Sequence, residues 1–296
     1  MLPLIRWSNV WFLFSGTLVA LALITFFTWG LKFGTDFTGG SLLEYQYSGT
    51  RPDIAEIKQK LDALGIQDAT IQPAGDKEIF IRAQEIKEDV HQKLLQALGG
   101  DGEEKRFDSI GPTIGQELRR TTLYATIVVL TFIVLYVSWA FRKVTRFGKI
   151  NSWHYGIATV IALVHDIAIL VGTFVFLGHF LGIEVDTAFV AALLTTLGYS
   201  VNDTIVVFDR IRENLTKSAS GESFASIAEK SVNETMARSF STSFTAVLTL
   251  LAILLFGGGT IRYFVLALIV GIIAGTYSSI FIASPLLVWW ERRSNV

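Results

Sequence analysis

A polytopic α-helical membrane protein with a small α+β ferredoxin-like domain inserted between its first two helices is the fold class that this sequence predicts. Three observations carry that prediction. Of 296 residues, 51% are hydrophobic, more than a soluble domain of this size needs. Charged residues make up only 17% of the chain and gather between long apolar stretches. Six of those stretches are long enough to cross a bilayer at about 20 residues each.

The first span runs from about Trp11 to Trp29 without a charge. It is too long for a signal-peptide core and ends in Trp29-Gly30 rather than a small-x-small cleavage site, so it reads as an uncleaved anchor. The polar segment 31–120 follows. Strand patterns at Ser41–Tyr47, Thr70–Gln72, Glu78–Arg82 and Arg106–Ile110 alternate with helical patterns at Pro52–Leu64 and Glu85–Leu98. Gly65 and Gly99-Gly100 stop the helices, and Gly75-Asp76 turns the middle strands. The order β-α-β-β-α-β is that of a split βαβ, ferredoxin-like domain. Segment 121–296 holds spans two to six: Thr121–Phe141, a stretch within Trp153–Leu177, Thr187–Phe208, Arg238–Phe256 and Tyr263–Trp290. The sixth is long enough to tilt or to extend past the membrane. The stretch between Asp209 and Glu234 reads as a polar loop with a short interfacial helix around Ala225–Ile227–Ala228.

Orientation follows from Lys and Arg in the short loops. Arg142, Lys143, Arg146 and Lys149 lie between spans two and three, Arg210, Arg212, Lys217 and Lys230 between four and five, and Arg292 and Arg293 after six. These put both termini in the cytoplasm and the α+β domain outside. The loop Gly178–Asp186 has Glu184 and Asp186 but no Lys or Arg, which suits the outside; Arg262, Arg119 and Arg120 are exceptions there.

Composition excludes several classes of function. The chain has no cysteine, so disulfides, thiol catalysis and Cys-type zinc sites are out. It has no Walker-type phosphate loop. A net charge of -1 without a basic, aromatic-interleaved block argues against nucleic acid. His154, His165 and His179 are strung along one span with no carboxylate-rich companion, so no metal or cofactor is expected.

Chemistry concentrates on ionisable groups inside the spans, where charge costs a few kcal/mol or more. Asp203 lies in the polar patch Leu197–Thr204 of span four. Counting about 1.5 Å per residue from Thr187 puts it roughly 24 Å along, in the cytoplasmic third, so a capped or water-facing residue near a helix end is the competing reading. Arg238 opens span five, and Arg238, Thr242, Thr245 and Thr249 share one face, a stripe that should turn to the protein interior. A snorkelling arginine with incidental threonines is the alternative. Burial raises a carboxylate pKa and a nearby arginine lowers it, so a carboxylate and a mobile arginine on neighbouring helices make a workable proton site. His165 and Asp166 give span three a pair suited either to a relay or to packing. Ala267, Gly271, Gly275 and Ser279 form a small-residue face for close helix packing in span six. In Gly34-Thr-Asp-Phe-Thr-Gly-Gly40 the glycines permit tight turns and Asp36 can bond its own backbone.

Taken together, these motifs resemble the SecF branch of the SecD/SecF protein-export family, within the resistance-nodulation-division superfamily. The resemblance covers essentially the whole chain. It rests on Gly34–Gly40, Val164-His-Asp166, the long run Gly198–Asn214, Ser231–Ser239 and Gly275–Pro285. It implies one six-span half of a twelve-span bundle in the bacterial inner membrane, with SecD as the other half. The implied partners are SecD, the SecYEG channel, preprotein substrate, membrane lipid and protons, and the implied role is non-enzymatic, proton-motive-force-driven help to translocation. Asp203 and Arg238 become the proton-linked pair, with Asp166, Asn202 and Thr242 grouped alongside. Asp36, Gly39 and Gly40 become domain-coupling or partner-contact residues. Two rivals stay open: half of an exporter for lipids or small hydrophobic molecules, and an intramembrane aspartyl hydrolase using Asp166 and Asp203.

Overall fold

The computed structural model describes residues 2–99, 102–141, 151–218 and 222–294. Gly100 and the basic cluster Arg142, Lys143, Arg146 and Lys149 lie outside them. The chain forms two compact units: Met1–Leu31 with Ala125–Phe180 and Ala188–Val296, and Lys32–Tyr124 with Leu181–Thr187.

The second unit holds an antiparallel sheet in the order β2-β3-β1-β4, built from β1 (Gly40–Gln46), β2 (Thr70–Ala74), β3 (Glu78–Ala83) and β4 (Glu103–Ile110). Helices α3 (Ile54–Ala63) and α4 (Glu88–Leu98) fall between the strands as a split βαβ requires. Their core-facing residues Ile57, Leu61, Leu94 and Leu98 meet Leu43, Ile79 and Ile81 of the sheet in a single apolar cluster. Asp53 caps α3 by accepting from the Ala55 amide at 3.3 Å, so Pro52 stands before the helix rather than inside it. Gly65 (φ +81°) permits the turn that follows the helix.

Among the described residues, six helices are long and apolar enough to cross a membrane. They are α1 (Ser8–Trp29), α5 (Pro112–Ala140), α6 (Ser152–Leu181), α7 (Thr187–Lys217), α8 (Phe224–Phe256) and a sixth made of α9 (Gly259–Ser278), a π-helical turn (Ser279–Ala283) and α10 (Ser284–Ser294). A one-turn helix, α2 (Thr35–Thr38), lies in the glycine motif. The bundle core is made by α6, α7 and the sixth span, while α1, α5 and α8 are the least buried.

The polar loop expected between spans four and five is mostly helix. The structure carries α7 to Lys217 and starts α8 at Phe224, so no separate interfacial helix exists among the described residues. The charges that suggested a loop satisfy one another instead. Arg210 pairs with Glu213 and Glu234 at 2.6 Å, Arg212 with Asp209 at 2.5 Å, and Asn214 donates to Ser231 at 2.9 Å and Glu234 at 2.8 Å. Paired i,i+3 and i,i+4 charges support a helix rather than end it.

Candidate functional site

Extending α7 changes the position of Asp203. The residue lies about four turns from either end of the helix, which removes the reading of a capped group at a terminus. Its side chain is buried, and Oδ2 has no hydrogen-bond partner. Ser239 on α8 lies beside it, also buried, and is the one side chain that acts on it. A buried carboxylate oxygen without a donor is costly.

Asp166 on α6 is buried to the same degree but lies in the opposite setting. Its Oδ2 accepts from Ser200 Oγ of α7 at 2.6 Å and Ser278 Oγ of α9 at 2.9 Å, and its Oδ1 lies 3.0 Å from His165 Nδ1. One turn on, Thr204 Oγ1 of α7 is bonded to Ser279 Oγ at 2.9 Å, at the entry to the π turn. Glycines make this approach possible. A Cβ at Gly275 would sit 2.7 Å from Ser200 Cβ, and one at Gly271 would overlap Thr196. The small-residue face of span six therefore packs on α7. The π turn ends two residues before Pro285, which has no N–H to return along the helix.

The remaining proton-relay candidates point elsewhere. Asn202, Arg238 and Thr242 are exposed on this chain, and no ion pair joins Arg238 to Asp203 among the described residues. The stripe Arg238, Thr242, Thr245 and Thr249 does not turn inward as expected; all four residues lie on the outer face of α8. Its threonine hydroxyls donate to carbonyls one turn back, for example Thr242 to Arg238 at 2.9 Å. Because α8 begins at Phe224, Arg238 also lies well inside a helix rather than opening one. Asp166 and Asp203 share no hydrogen bond, and the donors around Asp166 occupy both its oxygens. That arrangement lacks the shared proton an aspartyl dyad requires. The other two histidines of α6 are engaged as rings: His179 stacks on Trp29 at 4.3 Å, and His154 meets Trp290 edge-on at 5.3 Å.

The glycine motif has its own geometry in the second unit. Asp36 does not bond its own turn. Its Oδ2 accepts from the Thr187 amide at 2.8 Å and the Thr187 hydroxyl at 2.5 Å, which caps the first residue of α7. Gly34 N–H donates to Val185 O and Val185 N–H to Lys32 O, both at 2.8 Å. Gly39 (φ +77°) and Gly40 (φ +125°) adopt the left-handed region, and a Cβ on them would sit 2.7 Å from Pro112 Cα and 2.5 Å from Ala83 O. Behind them, Arg82 pairs with Glu184 at 3.0 Å. Burial holds the Glu184 carboxyl above the ordinary carboxylate range, with Arg82 and Lys32 pulling the other way. Sequence reasoning missed the Asp36–Thr187 cap, which joins residues 151 positions apart. It also missed the Ser200–Asp166–Ser278 cluster, although all three residues stand in runs it had singled out.

Six helices long and apolar enough to cross a membrane, two buried carboxylates among them, and a separate split βαβ unit define, by class, a multi-pass membrane protein with a small α+β domain. Residues 90–293 match the family model described as "Protein export membrane protein SecD/SecF, C-terminal", and residues 24–50 match the SecD/SecF GG motif. This chain belongs to the SecD/SecF protein-export family. It is 40% identical to protein translocase subunit SecF of Thermobaculum terrenum, over 99% of this chain and 95% of that protein. It is 36% identical to protein translocase subunit SecDF of Brucella abortus, over 97% of this chain but only 37% of that one. Among solved structures, the crystal structure of SecDF from Thermus thermophilus, described as a translocon-associated membrane protein, aligns with a TM-score of 0.85 at 32% identity. That alignment covers 98% of this chain and 38% of the SecDF chain.

Proposed function

We propose that this chain is the SecF-type subunit of a proton-driven device that, with a SecD-type partner, helps preproteins through the SecYEG channel. Both termini are then cytoplasmic and the α+β unit lies outside the inner membrane. The observation that carries the reading is Asp203: buried in mid-helix, with one oxygen lacking any donor, beside α8, one of the three least buried spans. Two features support a missing half. The chain spans under two fifths of the SecDF proteins it matches. An arginine and three threonines stand exposed on a membrane-spanning helix, where lipid is a poor partner for them. In the assembled complex the partner covers the α8 stripe, and Arg238 and Thr242 turn toward Asp203. Asn202, the relay candidate next to Asp203, is exposed and meets the partner as well. Proton arrival at Asp203 weakens its attraction for Arg238, and the helices shift. The test is Asp203→Asn in a complex reconstituted with its partner and channel. Proton conduction and gradient-dependent export should both fall to background while assembly is retained. Unchanged conduction and export would sink the proposal.

A further inference from the structure

Asp166 has three donors and no evident task in the scheme above. Its position relative to Asp203 supplies one. Ser200 and Thr204 are four residues apart on α7 and share a face. Ser200 is bonded to Asp166, and Thr204 to Ser279. Two consecutive serines thus divide the work at the π turn: Ser278 reaches α6 through Asp166, and Ser279 reaches α7 through Thr204. Residue 203 falls about 100° around the helix from Thr204, away from this seam, and is buried beside Ser239 of α8. Pinning residues 200 and 204 therefore fixes the rotation of α7 that aims Asp203.

The chemistry suits a bracket more than a carrier. Two serine hydroxyls from α7 and α9 donate to one oxygen of the carboxyl and the His165 ring meets the other, so the side chain ties three helices at one point. Ser278 can also donate to Gly275 O at 3.1 Å, but the carboxylate is the nearer and stronger acceptor at 2.9 Å. His165 is the one titratable group acting on Asp166 among the described residues; α7 and α9 offer it only Ser200 and Ser278. Ser239 is the one side chain acting on Asp203.

We infer that Asp166 is a positioning residue: with Ser200, Ser278 and the π turn it clamps α7 and holds Asp203 at its working orientation, without carrying the proton itself. The inference rests on the proposed role of Asp203. Proton flow through the reconstituted complex of this chain and its SecD-type partner, recorded against pH, tests it. Ser278→Ala and Asp166→Asn should keep the flow and displace its pH midpoint by about one unit, the equivalent of one hydrogen bond. Ser278→Thr, which keeps the hydroxyl, should restore the native midpoint. Loss of flow in Asp166→Asn, as in Asp203→Asn, would make Asp166 a carrier and overturn the inference. An unmoved midpoint in assembled Ser278→Ala would overturn it as well. Failure of the underlying reading looks different, because flow would then survive Asp203→Asn.

Discussion

Asp166 and Asp203 are two carboxylates on adjacent helices, equally buried at 5% and 7% exposure, and they differ in what surrounds them. Asp166 is engaged at both oxygens: two serine hydroxyls donate to Oδ2 and the His165 ring meets Oδ1. Asp203 has an oxygen with none. Burial alone therefore does not identify a proton site. The supply of donors is what the two proposed roles rest on, a clamp for Asp166 and a proton site for Asp203.

The largest expected effect separates the two acids by stability. Asp166→Ala strands the Ser200 and Ser278 hydroxyls and the His165 ring in the bundle core, and should cost about 3 kcal/mol. Asp203→Asn removes a charge that has no donor at Oδ2, and should cost little or stabilise slightly. Denaturation midpoints of the purified complex check both. Equal losses would mean that donor supply is not what distinguishes them.

Asp36 extends the comparison to a half-buried acid with two donors. Asp36→Ala should cost about 1 kcal/mol, the usual value of a helix N-cap. The Thr187 amide should then exchange hydrogen faster in the full-length protein, while the amides of β1 keep their protection. Unchanged exchange at Thr187 would show that the cap adds nothing.

Glu184 gives the smallest effect, because it is half-buried and paired with Arg82. Its folded-state pKa is raised by burial. A raised pKa contributes stability that is complete below the unfolded value and disappears as pH climbs through the folded one. Glu184→Gln should flatten the decline in thermal midpoint between the ordinary carboxylate range and neutrality. A slope identical to that of the unmodified protein would assign the decline to other groups.

Much of this was readable in the residues. Alternation and turn glycines marked the strands of the split βαβ unit, and apolar length marked the six spans. Reading failed where charges paired across helices. Asp209, Arg210, Arg212 and Glu213 look like a loop one at a time, and only the partners on α8 and along α7 explain the continuing helix. The same limit hid the site. Asp203 and Asp166 both register as costly carboxylates in a linear sequence, and what separates them is a serine on α9 more than 100 residues away. The stripe Arg238, Thr242, Thr245 and Thr249 lies exposed on this chain, and periodicity alone does not tell which surface a polar face meets.

Infrared difference spectroscopy of the reconstituted complex across a pH titration tests the central claim most directly. A buried carboxylic acid that exchanges its proton gives a carbonyl band that appears and vanishes with pH. The account predicts that this band is absent from Asp203→Asn and persists, displaced in midpoint, in Asp166→Asn. A band that survives Asp203→Asn and disappears from Asp166→Asn would contradict it.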